Sequence, residues 1–170
     1  MDTIKHIPEN GKTRIVIIGG GFAGLKLARK LVKTKYQVVL IDKNNFHQFQ
    51  PLFYQVATSG LEPSSIAFPL RKIFQKRKNV HFRMAELLEV NPNVQEIYTS
   101  LGSLKYDHLV LATGVDTNYF GNKNIEEFGI PMKSVSEAIF LRNSILRNYE
   151  KALNESDPKK AANYMNIVLV

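Results

Sequence analysis

The 170-residue sequence predicts an α/β protein whose parallel sheet carries a small antiparallel β insertion. Three observations predict it. Unalternated, β-branched runs at residues 14–18, 37–42 and 106–112 read as strands buried on both faces, the pattern of parallel sheets. Between the first two runs the apolar residues switch to a helical period. Residues 80–99 instead alternate loosely around an Asn91-Pro92-Asn93 turn, which reads as short antiparallel strands.

The elements follow in order. Arg14-Ile15-Val16-Ile17-Ile18 is the first strand, and Leu25, Ala28, Leu31 and Val32 then share one face of a helix reaching to Lys35. Gln37 to Asp42 forms a second strand that ends in an acid, which completes a βαβ unit. Residues 44–65 show no clean period and are rich in Phe, Gln and Pro, and an aperiodic stretch of that length is a candidate site. Pro69 opens a short helix through Lys76, with Leu70, Ile73 and Phe74 on its buried side. Residues 106–114 give another buried strand stopping at a glycine. Ser134 and Glu137 form a capping box for a helix in which Ala138, Leu141, Ile145, Tyr149 and Leu153 share a face, and residues 154–163 read as a polar linker. Residues 166–170 repeat the β-branched character of the opening strand. A buried strand needs neighbours, so the expectation is that these residues begin a second α/β unit of a longer protein.

Composition narrows the chemistry. With 44% hydrophobic and 22% charged residues the chain has ordinary globular composition, which excludes a disordered or fibrous protein. The absence of cysteine excludes disulfide scaffolds, thiolate metal sites and any cysteine-based redox step in this chain. The four histidines show no ligand spacing, so no metal site is expected; His47, in the Phe-rich stretch, is the one to watch. A formal charge of +8 favours anionic partners. Arg71-Lys72 and Lys76-Arg77-Lys78 read first as a solvated helix face, with an anionic membrane surface as the alternative. Nucleic acid is not expected, because no helix-turn-helix, zinc-finger or RNP-type pattern accompanies the basic residues. The polar opening segment carries no secretion signal, and the longest uncharged stretch, 44–61, is too interrupted to span a bilayer. The expected location is cytoplasmic, with any membrane contact peripheral.

Gly19-Gly20-Gly21-Phe22-Ala23-Gly24 satisfies G-x-G-x-x-G, follows a strand and opens a helix, and Asp42 ends the next strand 18 residues past Gly24. Gly19 serves the tight turn, Gly21 the close approach of backbone to a pyrophosphate, and Gly24 the packing of helix on strand. A pyrophosphate there meets helix N–H groups and the positive end of the helix dipole. Asp42 can accept hydrogen bonds from an adenosine ribose and would repel a 2′-phosphate, which favours FAD or NAD over NADP. The motif makes the sheet Rossmann-type; the other reading is a glycine turn that holds no ligand. A phosphate-binding P-loop fails because Leu25, not Lys, follows Gly24.

Residues 15–24, the stretch Phe49-Gln50-Pro51-Leu52-Phe53-Tyr54-Gln55-Val56-Ala57-Thr58, and residues 106–114 together resemble the type II, non-proton-pumping NADH dehydrogenases. The resemblance runs from about Thr13 to Val170. It implies a flavoprotein of the two-dinucleotide-domain kind, with FAD on this first fingerprint and NADH, the substrate, on a second one lying largely outside this chain. It assigns Gly19, Gly21, Phe22, Ala23 and Gly24 to the pyrophosphate, Asp42 and Lys43 to the adenosine, and the Leu87 backbone to the adenine. Gln50, Pro51 and Leu52 would approach the isoalloxazine, and Ala112, Thr113 and Gly114 the linking phosphates or ribityl chain. No catalytic acid, base or nucleophile is implied. The expected organisation is an FAD-binding domain at 1–120, a connecting segment at 121–163 and the first strand of an NADH-binding domain at 164–170. The expected function is the FAD-binding part of an NADH:quinone oxidoreductase, a peripheral protein on the inner face of the cell membrane and a candidate homodimer. The alternatives are another FAD-dependent pyridine nucleotide oxidoreductase and a non-catalytic NAD-binding module.

Overall fold

The computed structural model describes residues 3–169. Two compact units divide the chain, one made of residues up to 48 with 67–115, the other of 49–66 with 116 onward.

The first unit is built on a four-stranded parallel sheet. Its strands are β1 (Arg14–Ile18), β2 (Gln37–Asp42), β5 (Val80–Met84) and β9 (His108–Leu111), in the order β5-β2-β1-β9. The β-branched runs fail to alternate because both faces are covered. Ile17, Val38 and Leu40 point to one side, where they pack with Leu25 and Ala28 of α1 (Phe22–Leu31) and with Leu70 and Phe74 of α3 (Leu70–Phe74). Val16, Ile18, Val39 and Ile41 point to the other, against Ile97 and Leu104 of an antiparallel meander of β6 (Leu87–Asn91), β7 (Glu96–Thr99) and β8 (Gly102–Lys105). The N-terminal Ile4 and Ile7 close that side. Each such fully buried aliphatic side chain contributes roughly 1.5–3 kcal/mol. A two-stranded ribbon of β3 (Phe46–Gln48) and β4 (Ala67–Pro69) completes the unit.

At the N-terminal end of β1 the buried Arg14 is satisfied on every side. Its guanidinium donates to Gln37 Oε1 at 2.5 Å, the Lys105 carbonyl at 3.1 Å and Glu9 Oε1 at 2.7 Å, and its backbone N–H donates to Asp107 Oδ2 at 2.5 Å. His81, in β5, is held below the ordinary histidine value of 6.5, first by burial and then by the charges of Arg83 and Arg14. The native state therefore binds that proton less readily than the unfolded chain, and stability falls as pH drops through about 6.5 toward the lower native value. Melting temperature followed downward from about pH 7.5 should fall in this window, and fall less in His81→Gln.

The second unit is helical, with α2 (Phe53–Ala57), α4 (Lys123–Phe128), α5 (Val135–Leu153) and α6 (Pro158–Tyr164). Its buried residues are Phe53, Val56, Ala57, Ile66, Val135 and Ala138. The capping box forms as expected: Ser134 Oγ accepts the Glu137 N–H at 3.2 Å, and Glu137 Oε2 accepts the Ser134 N–H at 2.8 Å.

Several expectations need correction. α1 ends at Leu31 rather than Lys35. Residues 80–84 pair in parallel with β2, Val38 against Val80, instead of joining the antiparallel strands. Part of the supposed linker 154–163 is α6, opened by Pro158 and by Asp157, whose side chain accepts the Lys159 N–H at 2.9 Å. Residues 166–169 form no strand and are exposed, for a β-strand without a partner leaves its backbone groups unpaired; Val170 lies outside the described residues. The expected face of α5 is buried only near its start, since Tyr149 and Leu153 are exposed.

Candidate functional site

The glycine turn sits at the C-terminal ends of β1 and β2, where ligands bind in doubly wound sheets. Gly19 has φ +102°, and a Cβ there would collide with the Ala112 carbonyl, so the turn and the end of β9 touch backbone to backbone. The turn is pinned by the Gly19 N–H donating to the Ile41 carbonyl at 2.7 Å, and β9 by the Ala112 N–H donating to Ile18 at 2.7 Å. A Cβ on Gly24 would run into the Gly19 carbonyl and press on Ile17 Cγ2 at 3.2 Å, which is why the helix can start only with glycine there. Gly21 differs: its φ of −69° suits any residue, and a Cβ would meet no protein atom within 4 Å. Protein packing does not demand glycine at this position, and the direction of its missing Cβ is open.

The donors and acceptors fit a dinucleotide pyrophosphate and its ribose. Gly21 caps α1 without a side-chain hydrogen bond, and the first turn of the helix holds no acidic residue. Asp42 lies beside the turn, its Oδ2 accepting the Gly20 N–H at 2.5 Å and its Oδ1 the Asn44 N–H at 2.6 Å. Each carboxylate oxygen keeps lone-pair capacity for a ribose hydroxyl. Lys43 follows, exposed.

The structure brings Gly19, Gly21, Gly24, Asp42 and Ala112 together, with Phe22 and Ala23 exposed on the first turn of α1 and Thr113 and Gly114 exposed just past β9. Leu87 begins β6, two residues after Ala85, whose N–H donates to the Asp42 carbonyl at 2.9 Å. Gln50, Pro51 and Leu52 belong to the other unit, as a 3-10 turn (Gln50–Leu52) leading into α2. Gln50 and Pro51 are exposed on it, and the Leu52 N–H donates to the Phe49 carbonyl at 3.1 Å.

Two participants, Gly20 and Asn44, escaped the sequence reading, and His47, singled out there, finds its partners here. Gly20 is needed because a Cβ would lie 2.7 Å from Leu70 Cδ1 and 3.2 Å from Asp42 Oδ2; the run of three glycines was its signal. Asn44 carries none, since only its backbone acts. His47 Nδ1 lies 3.0 Å from the Gly20 carbonyl, and its ring meets Phe22 edge-on at 5.3 Å, so it braces the turn from β3.

The chain is 37% identical over 161 residues to the type II NADH:quinone oxidoreductase Ndh of Mycobacterium tuberculosis, covering 92% of this chain and 35% of that protein. It is 29% identical over 170 residues to the mitochondrial external alternative NAD(P)H-ubiquinone oxidoreductase B3 of Arabidopsis thaliana, covering 91% and 29%. The chain thus spans about a third of the length of such relatives. In fold it resembles NDH2 from Plasmodium falciparum, solved in complex with NADH, with a TM-score of 0.78 at 24% identity over 88% of this chain and 32% of that one. The sequence pattern of the pyridine nucleotide-disulphide oxidoreductases is matched across residues 13–162. Having no cysteine, this chain supplies no dithiol to the chemistry that the family name records. With only its two ends outside the match, the chain belongs to the pyridine nucleotide-disulphide oxidoreductase family.

Proposed function

We propose that this chain is the FAD-binding part of a type II NADH:quinone oxidoreductase, with residues 1–120 holding FAD, 121–163 connecting, and 164–170 leading toward the unit that binds NADH. The observation that carries the reading is the open direction at Gly21, the N-cap of α1, with Asp42 fixed beside the turn. The 37% identity to a type II NADH:quinone oxidoreductase supports FAD over NAD as the resident dinucleotide.

Bound FAD would supply an isoalloxazine able to accept hydride from NADH and deliver electrons to a quinone. The chain itself binds and orients. The backbone of Gly19, Gly21, Phe22, Ala23 and Gly24 faces the pyrophosphate, and Asp42 accepts the ribose hydroxyls with Lys43 next to the adenosine. Leu87 lends its backbone to the adenine, Gln50, Pro51 and Leu52 border the isoalloxazine, and Ala112, Thr113 and Gly114 border the linking phosphates or ribityl chain. No side chain here serves as acid, base or nucleophile. The protein works on the cytoplasmic side as a peripheral protein at an anionic membrane, as a candidate homodimer, without nucleic acid. No helix among the described residues is long and apolar enough to cross a membrane.

Absorption spectra of the chain with added FAD, followed by NADH titration, test the reading. Flavin bands should track the protein, and Asp42→Ala should weaken binding about 10- to 100-fold, the worth of charge-assisted hydrogen bonds. NAD binding without flavin binding would sink the assignment and leave an NAD-binding module.

A further inference from the structure

Between α1 and α3 four cations converge that the fold itself leaves unused. Arg29, Lys30 and Lys33 come from the end of α1 and the turn after it, where no acid occurs from Phe22 to Tyr36. Arg77 comes from the turn after α3, in a stretch with no acid from Ala67 to Ala85. All four are exposed, and both helices cover the same face of the parallel sheet. Cations at the end of a helix often serve its last carbonyls. Here those carbonyls are taken by other groups. The Leu31 carbonyl accepts the Thr34 N–H at 3.1 Å and the Asn79 side-chain amide at 3.0 Å, and the Phe74 carbonyl accepts the Arg77 N–H at 2.9 Å. Among the described residues the side chains of Arg29, Lys30, Lys33 and Arg77 have no hydrogen-bond or ion-pair partner.

These cations line a groove of about 680 Å³ with no acid in its lining. That volume lies within the roughly 300–1,000 Å³ of small-molecule sites. Its apolar side includes Leu25 and Phe74, both buried, and Phe68, whose ring is half exposed. Unpaired cations facing an apolar floor and an open aromatic ring suit a ligand that is a polyanion at one end and a flat ring at the other. A bare polyphosphate would satisfy the cations and leave the floor and Phe68 unused. The groove is not the glycine turn: Arg29 stands about 12 Å along α1 from Gly21 at the helical rise, and Asp42 is not in its lining. His47 is common to both, lining the groove while its Nδ1 lies 3.0 Å from the Gly20 carbonyl.

We propose that the α1–α3 groove binds a nucleoside polyphosphate, with the phosphates among Arg29, Lys33 and Arg77 and the base on the apolar side against Phe68. This goes beyond the FAD reading and does not depend on it.

The test is calorimetric titration of the chain with ATP, with inorganic tripolyphosphate and with adenosine, alongside FAD titration and circular dichroism on the same samples. ATP should bind most tightly, tripolyphosphate more weakly and adenosine least, and ATP affinity should fall as salt rises. The combined variant Arg29→Gln, Lys33→Gln, Arg77→Gln should bind ATP roughly 10- to 100-fold more weakly with FAD affinity unchanged. Removing three exposed cations of the other unit, Lys133→Gln, Arg147→Gln, Lys159→Gln, should cost less than about threefold. Phe68→Ala should weaken ATP about fivefold or more and leave tripolyphosphate unchanged, the effect of a lost base–ring stack. Asp42→Ala should leave ATP affinity as it is. No ATP binding by the parent, equal losses in the two triple variants, or tripolyphosphate bound as tightly as ATP would overturn the proposal. An ATP affinity that falls in Asp42→Ala and not in the groove variant would also overturn it, by placing the nucleotide at the glycine turn. The FAD titration reports separately, so failure of the groove and failure of the flavin reading are told apart.

Discussion

Replacing Gly21 by alanine is expected to leave the melting temperature almost unchanged and to weaken FAD binding about 10- to 100-fold, the effect of forcing one methyl into a packed contact. Gly21 has φ −69° and ψ −165°, which alanine adopts freely, and the added Cβ meets no protein atom within 4 Å. The fold should therefore tolerate it to within about 0.5 kcal/mol. A bound pyrophosphate would not, because its approach to the backbone is what keeps that direction clear. Gly24→Ala should behave in the opposite way. Its Cβ collides with the Gly19 carbonyl, a backbone atom that cannot step aside, so the turn itself must move at a cost of about 1–3 kcal/mol or more. Calorimetry and flavin titration on both variants check the pair. If Gly21→Ala retains parental FAD affinity, the pyrophosphate does not lie at this turn.

Phe53→Ala is expected to cost about 3–5 kcal/mol, the range for emptying a buried aromatic site. Phe53 is 1% exposed and belongs to a helix of five residues, far too short to hold its shape alone. α2 persists because Phe53, Val56 and Ala57 are buried, with α5 packed against it. The Phe53 N–H also closes the preceding turn onto the Gln50 carbonyl. Losing the ring should therefore loosen Gln50, Pro51 and Leu52. Thermal melts should drop by roughly 6–20 °C. Tyr54→Ala next door, at a side chain 52% exposed, should change stability by less than about 0.5 kcal/mol and serves as the control.

Much of the fold was legible in the sequence because its signals are local. The β-branched runs of β1 and β2, the glycine turn and the capping box of α5 each express a constraint that acts within a few residues. What escaped depends on partners distant in the chain. Residues 80–84 alternate as any half-buried strand does, and nothing in them specifies parallel pairing with β2; that follows from α3 carrying the chain back across the sheet. The bracing of the turn by His47 and the acceptance of the Gly20 N–H by Asp42 join residues 27 and 22 positions apart, so spacing alone could not reveal them. α6 is a different failure. Asp157 and Pro158 are an ordinary helix start, hidden because the helix Pro158–Tyr164 is polar and short.

The central place of β1 in the sheet fixes an order of events during synthesis. β2 reaches it within a short crossover, but its other neighbour, β9, is made far later, and the Arg14 N–H must wait for an acceptor at Asp107, 93 residues downstream. At about 5–20 residues per second the ribosome leaves that side of β1 open for roughly 5–20 s. Through that interval one flank of Val16 and Ile17 faces solvent on the nascent chain, and slower translation or lower temperature lengthens the window in which chaperones, rather than β9, must cover it.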